Sequence, residues 1–226
     1  FHHYADGEIV GLQRLGNSQR VLAFGGTSTT GESQLMAIDF SNAASPQMYW
    51  SDTVYGSHAS VGSGIVKGDT LFVPIVGHLH RGCADSVGAI AFYDVHDPTQ
   101  IRYLGQLALP AVPQHVAVQG STLFVALGDK GIVSYDRRQW KAGGCFELSP
   151  KGRNPGTGGY CQGADALGDK LLTANGEAGV LLQMIQTRKT IVTITFSQLG
   201  VVNQVRLLRD GTYAACCIAD RSADRF

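Results

Sequence analysis

Two stretches of the chain, SGIVKGDTLFV at residues 63–73 and HVAVQGSTLFV at residues 115–125, are near copies of each other. In both, an alternating apolar segment is followed by a tight polar turn with glycine and a second alternating segment, which predicts a β-hairpin. After each hairpin comes a third predicted strand that ends in Tyr-Asp, GAIAFYD at Asp94 and GIVSYD at Asp136. The repeated unit is therefore a run of short antiparallel strands.

Weaker copies of this unit lie on both sides. They are IVGLQRLGNSQRVLAF with QLMAIDF, then GADALGDKLLT with GVLLQMI and TIVTITF, and finally VRLLRDGTYAA. A period of about 40–50 residues with four short strands per unit is typical of a β-propeller, in which each unit is one blade. We predict an all-β chain, a single β-propeller domain over residues 1–226, with about five four-stranded blades starting near residues 9, 61, 113, 161 and 202.

The last predicted blade runs out after two strands. The N-terminal segment FHHYADGE would close the ring by adding strands to it. Alternatively, residues 221–226 supply one strand, or the blade is incomplete. A β-sandwich with irregular repeats is the alternative fold.

The second and third units resemble the LVIVD-type repeat of bacterial and archaeal surface propellers. The matching residues are GDTLFVPIVG, AIAFYDVHDPTQIRYLGQLALP and QHVAVQGSTLFVALGDKGIVSYD, between about residues 60 and 136. The fourth unit departs from the pattern, because Met184-Ile185-Gln186 replaces the Tyr-Asp ending. The resemblance implies a propeller of a kind that is often extracellular. It implies no single activity and carries over no catalytic residues.

Composition narrows the class of partner. Lys plus Arg and Asp plus Glu both number 18, so the formal net charge is zero. A general phosphate-binding protein has a basic excess, so no nucleic-acid partner is expected. No apolar stretch approaches the roughly 18–20 residues of a membrane span. The chain begins at Phe1 without a signal-peptide pattern, and we expect a mature or trimmed product that is secreted, periplasmic or at the cell surface.

The five cysteines indicate whether the protein is in an oxidising or a reducing compartment. Cys145 and Cys161 flank the loop KGRNPGTGG, and a disulfide between them would stabilise the fold by roughly 3 kcal/mol and favour an oxidising compartment. The alternative is that all five are reduced and mostly buried thiols.

Histidines gather on one predicted face. In a propeller, the loops between blades and the loops between strands 2 and 3 share a face, here named the top face. His58 falls in the loop before the second blade, His78 and His80 in its 2–3 loop, and His115 at the start of an inner strand. Imidazole is the commonest protein metal ligand and a proton carrier near neutral pH.

These four histidines are the candidate ligands of a divalent metal ion, and His115, His78 and His80 are also the candidate catalytic groups. The run H-x-H-x-x-C at His78–Cys83 does not have the spacing of a structural zinc site. The alternative is that these are ordinary polar loop histidines. Other polar residues expected on the top face, as ligand-binding groups, are His58, Tyr160, Gln162, Glu177 and Asn203.

Two recurring features have structural interpretations. Asp39, Asp94 and Asp136 come at strand ends before turns, where a carboxylate caps the turn. Trp50 and Trp140 are expected to pack between blades.

Three functions are compatible with this pattern. The first is a secreted or surface propeller that binds a small-molecule or glycan ligand on its histidine-rich top face, around the central channel. The second is a metal- or histidine-dependent enzyme, a lyase or hydrolase, that uses the same pocket. The third is a protein-interaction scaffold with a protein partner.

Overall fold

The computed structural model describes residues 9–16, 18–25, 32–79, 87–140, 145–146, 152–154, 159–195, 201–210 and 212–218. The described residues form strands and turns, with one 3-10 turn at Arg137–Gln139 and no α-helix among them. Within those residues, no helix is long and apolar enough to cross a membrane. The chain divides into two compact units, Phe1–Pro113 with Trp140–Leu148, and Gln114–Gln139 with Ser149–Phe226. The single domain over residues 1–226 stays a prediction.

Strands are numbered in chain order. Those of the first unit are β1 (Ile9–Arg14), β2 (Arg20–Gly25), β3 (Glu32–Asp39), β4 (Gln47–Val61), β5 (Ile65–Lys67), β6 (Thr70–Leu79), β7 (Gly88–Asp94), β8 (Arg102–Leu109) and β12 (Cys145–Phe146). Repeat 1 is the antiparallel meander β1–β4, and repeat 2 is the meander β5–β8. The two-residue strand β12 pairs in parallel with β8.

The second unit contains β9 (His115–Gln119), β10 (Thr122–Ala126), β11 (Ile132–Asp136), β13 (Gly152–Asn154), β14 (Gly163–Leu167), β15 (Lys170–Ala174), β16 (Val180–Met184), β17 (Thr190–Ile194), β18 (Val201–Leu207) and β19 (Tyr213–Ile218). Repeat 3 is the antiparallel sheet β9–β10–β11–β13, repeat 4 is β14–β17, and repeat 5 is the pair β18–β19. The repeats begin close to the predicted starts. Residues 1–8 and 221–226, the candidates for closing the last blade, lie outside the described residues.

A glycine sets the first hairpin of repeats 1–4. Each of these glycines lies in the turn between the first two strands and has a positive φ, a conformation that glycine adopts without steric cost. They are Gly16, Gly68, Gly120 and Gly168, with φ of 56°, 59°, 57° and 60°. The hairpins predicted from the polar glycine turns are therefore confirmed.

The third strands end as predicted. The Ser41, His96 and Arg138 amides donate to the carboxylates of Asp39, Asp94 and Asp136 at 2.8, 3.0 and 3.0 Å. An arginine pairs with each of these aspartates: Arg20, Arg102 and Arg138. Turn capping is confirmed, and the ion pair adds a second contact at each turn.

One strand is longer than the sequence indicated. β4 pairs with β3 from Gln47 to Tyr55 and with β6 from Val54 to Val61, and its register with β6 is irregular between Tyr55 and Ser60. The prediction that His58 and His78 lie in loops was therefore wrong, since they lie on β4 and β6. β4 continues through His58, although its register with β6 is interrupted between Tyr55 and Ser60.

Apolar side chains fill the spaces between neighbouring repeats of each unit. In the first unit, Trp50 of β4 meets Tyr93 of β7 edge-on, with ring centroids 5.4 Å apart. Trp140 stacks on Phe92 at 4.1 Å. The packing role predicted for the two tryptophans is confirmed. In the second unit, one cluster joins repeats 3 and 4 and another joins repeats 4 and 5.

Candidate functional site

The inner strands of the second unit are β9, β14 and β18. β14 contacts both β9 and β18, so the three lie side by side. The residues that precede β9 and β14 make equivalent backbone hydrogen bonds. The Gln114 amide donates to the Ala126 carbonyl at 2.8 Å, and the Gln162 amide donates to the Ala174 carbonyl at 2.9 Å. The start of each inner strand is therefore tied to the end of the strand beside it.

Two glycine turns attach each sheet to the next inner strand. Gly128 exchanges backbone hydrogen bonds with Cys161, and Gly176 does so with Val202. Both glycines have positive φ, 57° and 58°. These two turns, residues 127–131 and 175–179, are here named the clasp turns. They bring the loops between strands 2 and 3 to the starts of β14 and β18, as expected for a top face.

Three of the predicted ligand-binding residues lie around the clasp turns. Tyr160 is 47% exposed and its ring packs on Gly128. Gln162 is half-buried just before β14, and Glu177 is exposed in the second clasp turn. A side chain on Gly128 would meet the Tyr160 ring at 2.5 Å, so glycine is needed for the contact as well as for its φ.

His115 opens β9 and is half-buried. Burial lowers the pKa of His115 from its ordinary value. The nearby Asp165 carboxylate and a hydrogen bond between the ring and the Ala164 backbone oppose that shift, while the Arg206 guanidinium adds to it. The imidazole is therefore neutral near pH 7, and its Nδ1 is buried without a hydrogen-bond partner among the described residues.

Asn203 lies on β18, on the other side of β14 from His115. Its Oδ1 is also buried and has no partner within the described part of the chain. β18 approaches β14 so closely that a Cβ on Gly163 would lie 2.7 Å from the Asn203 carbonyl oxygen. A side chain at residue 163 would therefore force the two strands apart.

Asp165 ties β14 to β18. Its Oδ2 accepts from the Leu207 amide at 2.8 Å and lies 3.8 Å from Nε of Arg206. Arg206 was not predicted as a site residue. It becomes a neighbour of His115 only through the packing of strands from three different repeats, which no local sequence pattern signals.

The remaining histidines belong to the first unit. On β4 and β6, His78 is paired with Tyr55, and His58 falls between the pairs Tyr55–His78 and Ser60–Val76. The backbones of these two histidines are thus on adjacent strands. Their side chains, and all of His80, lie outside what the structure describes. No group of three or more potential metal ligands occurs among the described residues.

Cys161 corrects one expectation. It carries a free thiol, fully buried, so the expected Cys145–Cys161 disulfide is not formed. The side chain instead points inward, with Sγ 3.9 Å from the Gly163 carbonyl, and packs among the apolar residues between repeats 3 and 4. Burial raises the pKa of this thiol to about 12, so it is neither a nucleophile nor a metal ligand at neutral pH.

No protein-family model and no curated protein matches the chain. Similar solved structures include the computationally designed Ika8 protein, with a TM-score of 0.61 and 10% identity over 93% of this chain. A second is the Mitotic Checkpoint Complex, at 0.60 and 15% over 88% of this chain. A third is BamB from Moraxella catarrhalis, at 0.60 and 14% over 93%.

At these identities the likeness shows the fold alone, and that fold is all-β and β-propeller-like. The chain spans about half the length of these structures, 55%, 54% and 55% respectively.

Proposed function

We propose that this protein is a β-propeller of about five blades, of the LVIVD-like type, whose top face binds a hydroxyl-rich small molecule such as a glycan. The observation that supports the ligand is that two of the five buried, unpartnered side-chain atoms of the described residues lie on β9 and β18, Nδ1 of His115 and Oδ1 of Asn203. Buried polar groups are nearly always hydrogen-bonded, because an unmade bond costs about 1–3 kcal/mol. A ligand that pairs with both atoms would recover that cost.

The chemistry of the two atoms selects the ligand class. The amide oxygen of Asn203 only accepts, so it needs a donor. The neutral imidazole of His115 donates or accepts at Nδ1 according to its tautomer. A hydroxyl group satisfies either atom because it donates and accepts, and sugars carry several hydroxyls on one rigid ring. Tyr160, Gln162 and Glu177 add exposed or half-exposed polar groups near the clasp turns.

The lowered pKa of His115 supports a hydrogen-bonding role, since an uncharged imidazole suits a neutral ligand. The catalytic roles of His115, His78 and His80, the divalent metal and the location outside the cytoplasm stay predictions from the sequence.

The test is a titration of the protein with a defined panel of monosaccharides and disaccharides. Calorimetry measures the binding of each sugar, and thermal unfolding measures its effect on the midpoint temperature of the protein. We expect at least one sugar to raise the midpoint of the wild-type protein. Asn203→Leu keeps the side-chain size but removes the acceptor, so it should abolish that rise.

The matched control is Asn175→Leu. Asn175 is also buried, but its Nδ2 donates to Thr173 Oγ1 at 2.9 Å, so its hydrogen bonding is internal. This variant should be less stable and still bind the sugar. The proposal is overturned if no sugar in the panel binds, or if Asn203→Leu binds the same sugar with unchanged affinity.

A further inference from the structure

The outer strand of repeat 4 has one edge that no described strand covers. In the sheet order β14–β15–β16–β17, β17 pairs with β16 on one side only. In repeat 2, by contrast, the outer strand β8 pairs with β12 on its outer side, at Gln106 and Leu107. The backbone groups along an exposed strand edge are a template for a strand from another chain. The free edge of β17 is therefore a candidate interaction surface.

The composition of β17 favours pairing at that edge. Its five residues, TIVTI at positions 190–194, are all β-branched, the type that fits best on a sheet. Edge strands that stay unpaired usually carry a charge or a proline. β17 has neither, whereas β4 and β8, outer strands of the first unit, contain Asp52 and Arg102. Ile191 and Val192 are 45% and 37% exposed, so the unprotected edge also presents apolar surface to solvent.

An irregularity near the start of β17 limits which residues pair regularly. Gln183 is opposite Thr190 and Leu182 is opposite Val192, so the register shifts at Ile191. Such a bulge bends a strand and disturbs the direction of its backbone groups. The regular part of the free edge is therefore residues 192–194.

The side chains of this regular part differ on the two faces of the sheet. Val192 and Ile194 are opposite Leu182 and Val180, two members of the buried cluster that joins repeats 4 and 5. Residues opposite each other lie on the same face, so Val192 is at the outer margin of that apolar layer. Thr193 is exposed on the other face. A strand that pairs here extends the layer if it places an apolar side chain beside Val192.

A second copy of β17 has the pattern that this edge requires. Successive residues direct their backbone groups to opposite edges, so identical antiparallel strands pair odd-numbered residues with odd ones and even with even. With a two-fold axis at Thr193, this residue faces its own copy, and Val192 faces Ile194 of the second copy on both sides of the axis. Threonine pairs and apolar β-branched pairs both stabilise a sheet. The strand is thus complementary to itself.

Charge does not oppose this contact. The chain has a net charge of zero, so two copies do not repel each other as a whole. The residue before β17, Lys189, is basic, but antiparallel pairing puts the two copies of Lys189 at opposite ends of the contact. No like charges therefore face each other across the axis.

We propose that the protein forms a two-fold homodimer in which the β17 strands of two copies pair antiparallel about Thr193. The repeat 4 sheets of the two copies then form one continuous sheet across the axis. Only a few residues of each copy take part, so the dimer is weak and its population depends on protein concentration. β17 and β14 are at opposite edges of this sheet, so the contact is separate from the proposed ligand site.

Sedimentation velocity over a wide range of protein concentration measures the dimer. The average mass of the wild-type protein should rise from monomer towards dimer as concentration increases. Thr193→Lys places two like charges face to face on the axis, so it should raise the dissociation constant by about ten-fold or more. The matched control is Ser51→Lys, which adds the same charge at an exposed residue of the outer strand β4. This control should dimerise as the wild type does.

Opposite charges on the axis test the register itself. Thr193→Glu alone should also dissociate, because it too places like charges face to face. An equimolar mixture of Thr193→Lys and Thr193→Glu should form a mixed dimer that is tighter than the dimer of either variant, which native mass spectrometry resolves by mass. A variant that had simply failed to fold would not regain the contact on mixing.

Hydrogen exchange supplies an independent readout. The β17 amides should exchange more slowly at high than at low protein concentration, because pairing protects them. A wild-type protein that stays monomeric at every concentration contradicts the proposal and leaves the β17 edge to a different chain. A Thr193→Lys dimer as tight as that of the wild type, or a mixture of the two variants without a mixed dimer, contradicts it equally.

Discussion

Gly128 and Cys161 exchange two backbone hydrogen bonds, 3.1 Å from the glycine nitrogen to the cysteine oxygen and 2.9 Å in the opposite direction. Gly176 and Val202 repeat this pair one sheet later, at 3.2 Å for both bonds. Each pair joins the 2–3 turn of one repeat to the inner strand of the next. The clasp turns therefore align the starts of the inner strands, where the proposed ligand site lies.

The clasp can be tested by adding one methyl group. Gly128→Ala should destabilise the protein more than Gly120→Ala, although both glycines have φ of 57°. Alanine at residue 120 meets nothing within 4 Å, so only the left-handed conformation is penalised, at about 1–2 kcal/mol. At residue 128 the methyl also meets the Tyr160 ring, and displacing this ring adds to the loss. Urea unfolding of both variants measures the difference, and equal losses would contradict the clasp contact.

The turn carboxylates make stability sensitive to acid. The His96 amide, and then the Arg102 guanidinium, lower the pKa of Asp94 from 3.8. A carboxyl whose pKa is lower in the folded state stabilises the fold above the unfolded value, and that stability is lost as pH falls below it. The midpoint temperature of unfolding should therefore decrease as the pH is lowered below about 4. In Asp94→Asn this decrease should be smaller. An Asp94→Asn profile identical to wild type would refute the assignment.

His115 gives a second pH dependence at higher pH. Its pKa is lowered chiefly by burial, so the unfolded chain binds a proton more readily than the folded one. Stability is then greatest above the unfolded value of 6.5 and declines as pH falls below it. The thermal midpoint should drop between pH 7.5 and pH 5, and His115→Gln should reduce that drop. A wild-type midpoint that is flat over this interval would contradict the buried, neutral imidazole.

Asn203 and Asn175 should respond in opposite directions to the same substitution. Asn203→Leu removes an unpaired buried acceptor, so the unliganded protein should keep or gain stability. Asn175→Leu removes a made hydrogen bond to Thr173 and should cost about 1–3 kcal/mol. Thermal unfolding without ligand measures both. Destabilisation of equal size in the two variants would mean that Asn203 Oδ1 has a partner in the folded protein.

The Cys161 thiol should be inert until the protein unfolds. Burial and the pKa of about 12 both suppress the thiolate that reacts with iodoacetamide. Peptide mapping after brief alkylation should find Cys161 unmodified in native protein and modified in denaturant. A non-reducing map that recovers Cys161 linked to Cys145 would contradict the free thiol.

Much of the repeat architecture could be predicted from the sequence because it depends on local chemistry. Glycines with positive φ mark the hairpins, and the aspartates that end third strands bind the amide two residues later, a pattern visible within a few residues. The extension of β4 into repeat 2 could not be read this way. Gly56, Ser57 and Ser60 are typical loop residues, and β4 runs through them because it pairs with β6 on both sides of this stretch.

The candidate site likewise has features that a local sequence pattern predicts and features that it does not. The position of His115 at the start of an inner strand follows from the repeat, and so does that of Gln162. The proximity of His115 to Asp165 and Arg206 depends on how three repeats pack, which has no local signal. The Cys145–Cys161 disulfide was inferred from the loop between the two cysteines, but Cys161 points into the interface between sheets.

The most direct test of the proposed ligand site is an atomic-resolution structure of the protein with a bound sugar from the titrated panel. The account predicts sugar hydroxyls within about 2.6–3.2 Å of both Nδ1 of His115 and Oδ1 of Asn203. A sugar bound elsewhere, with these two atoms paired to other protein groups, would contradict it.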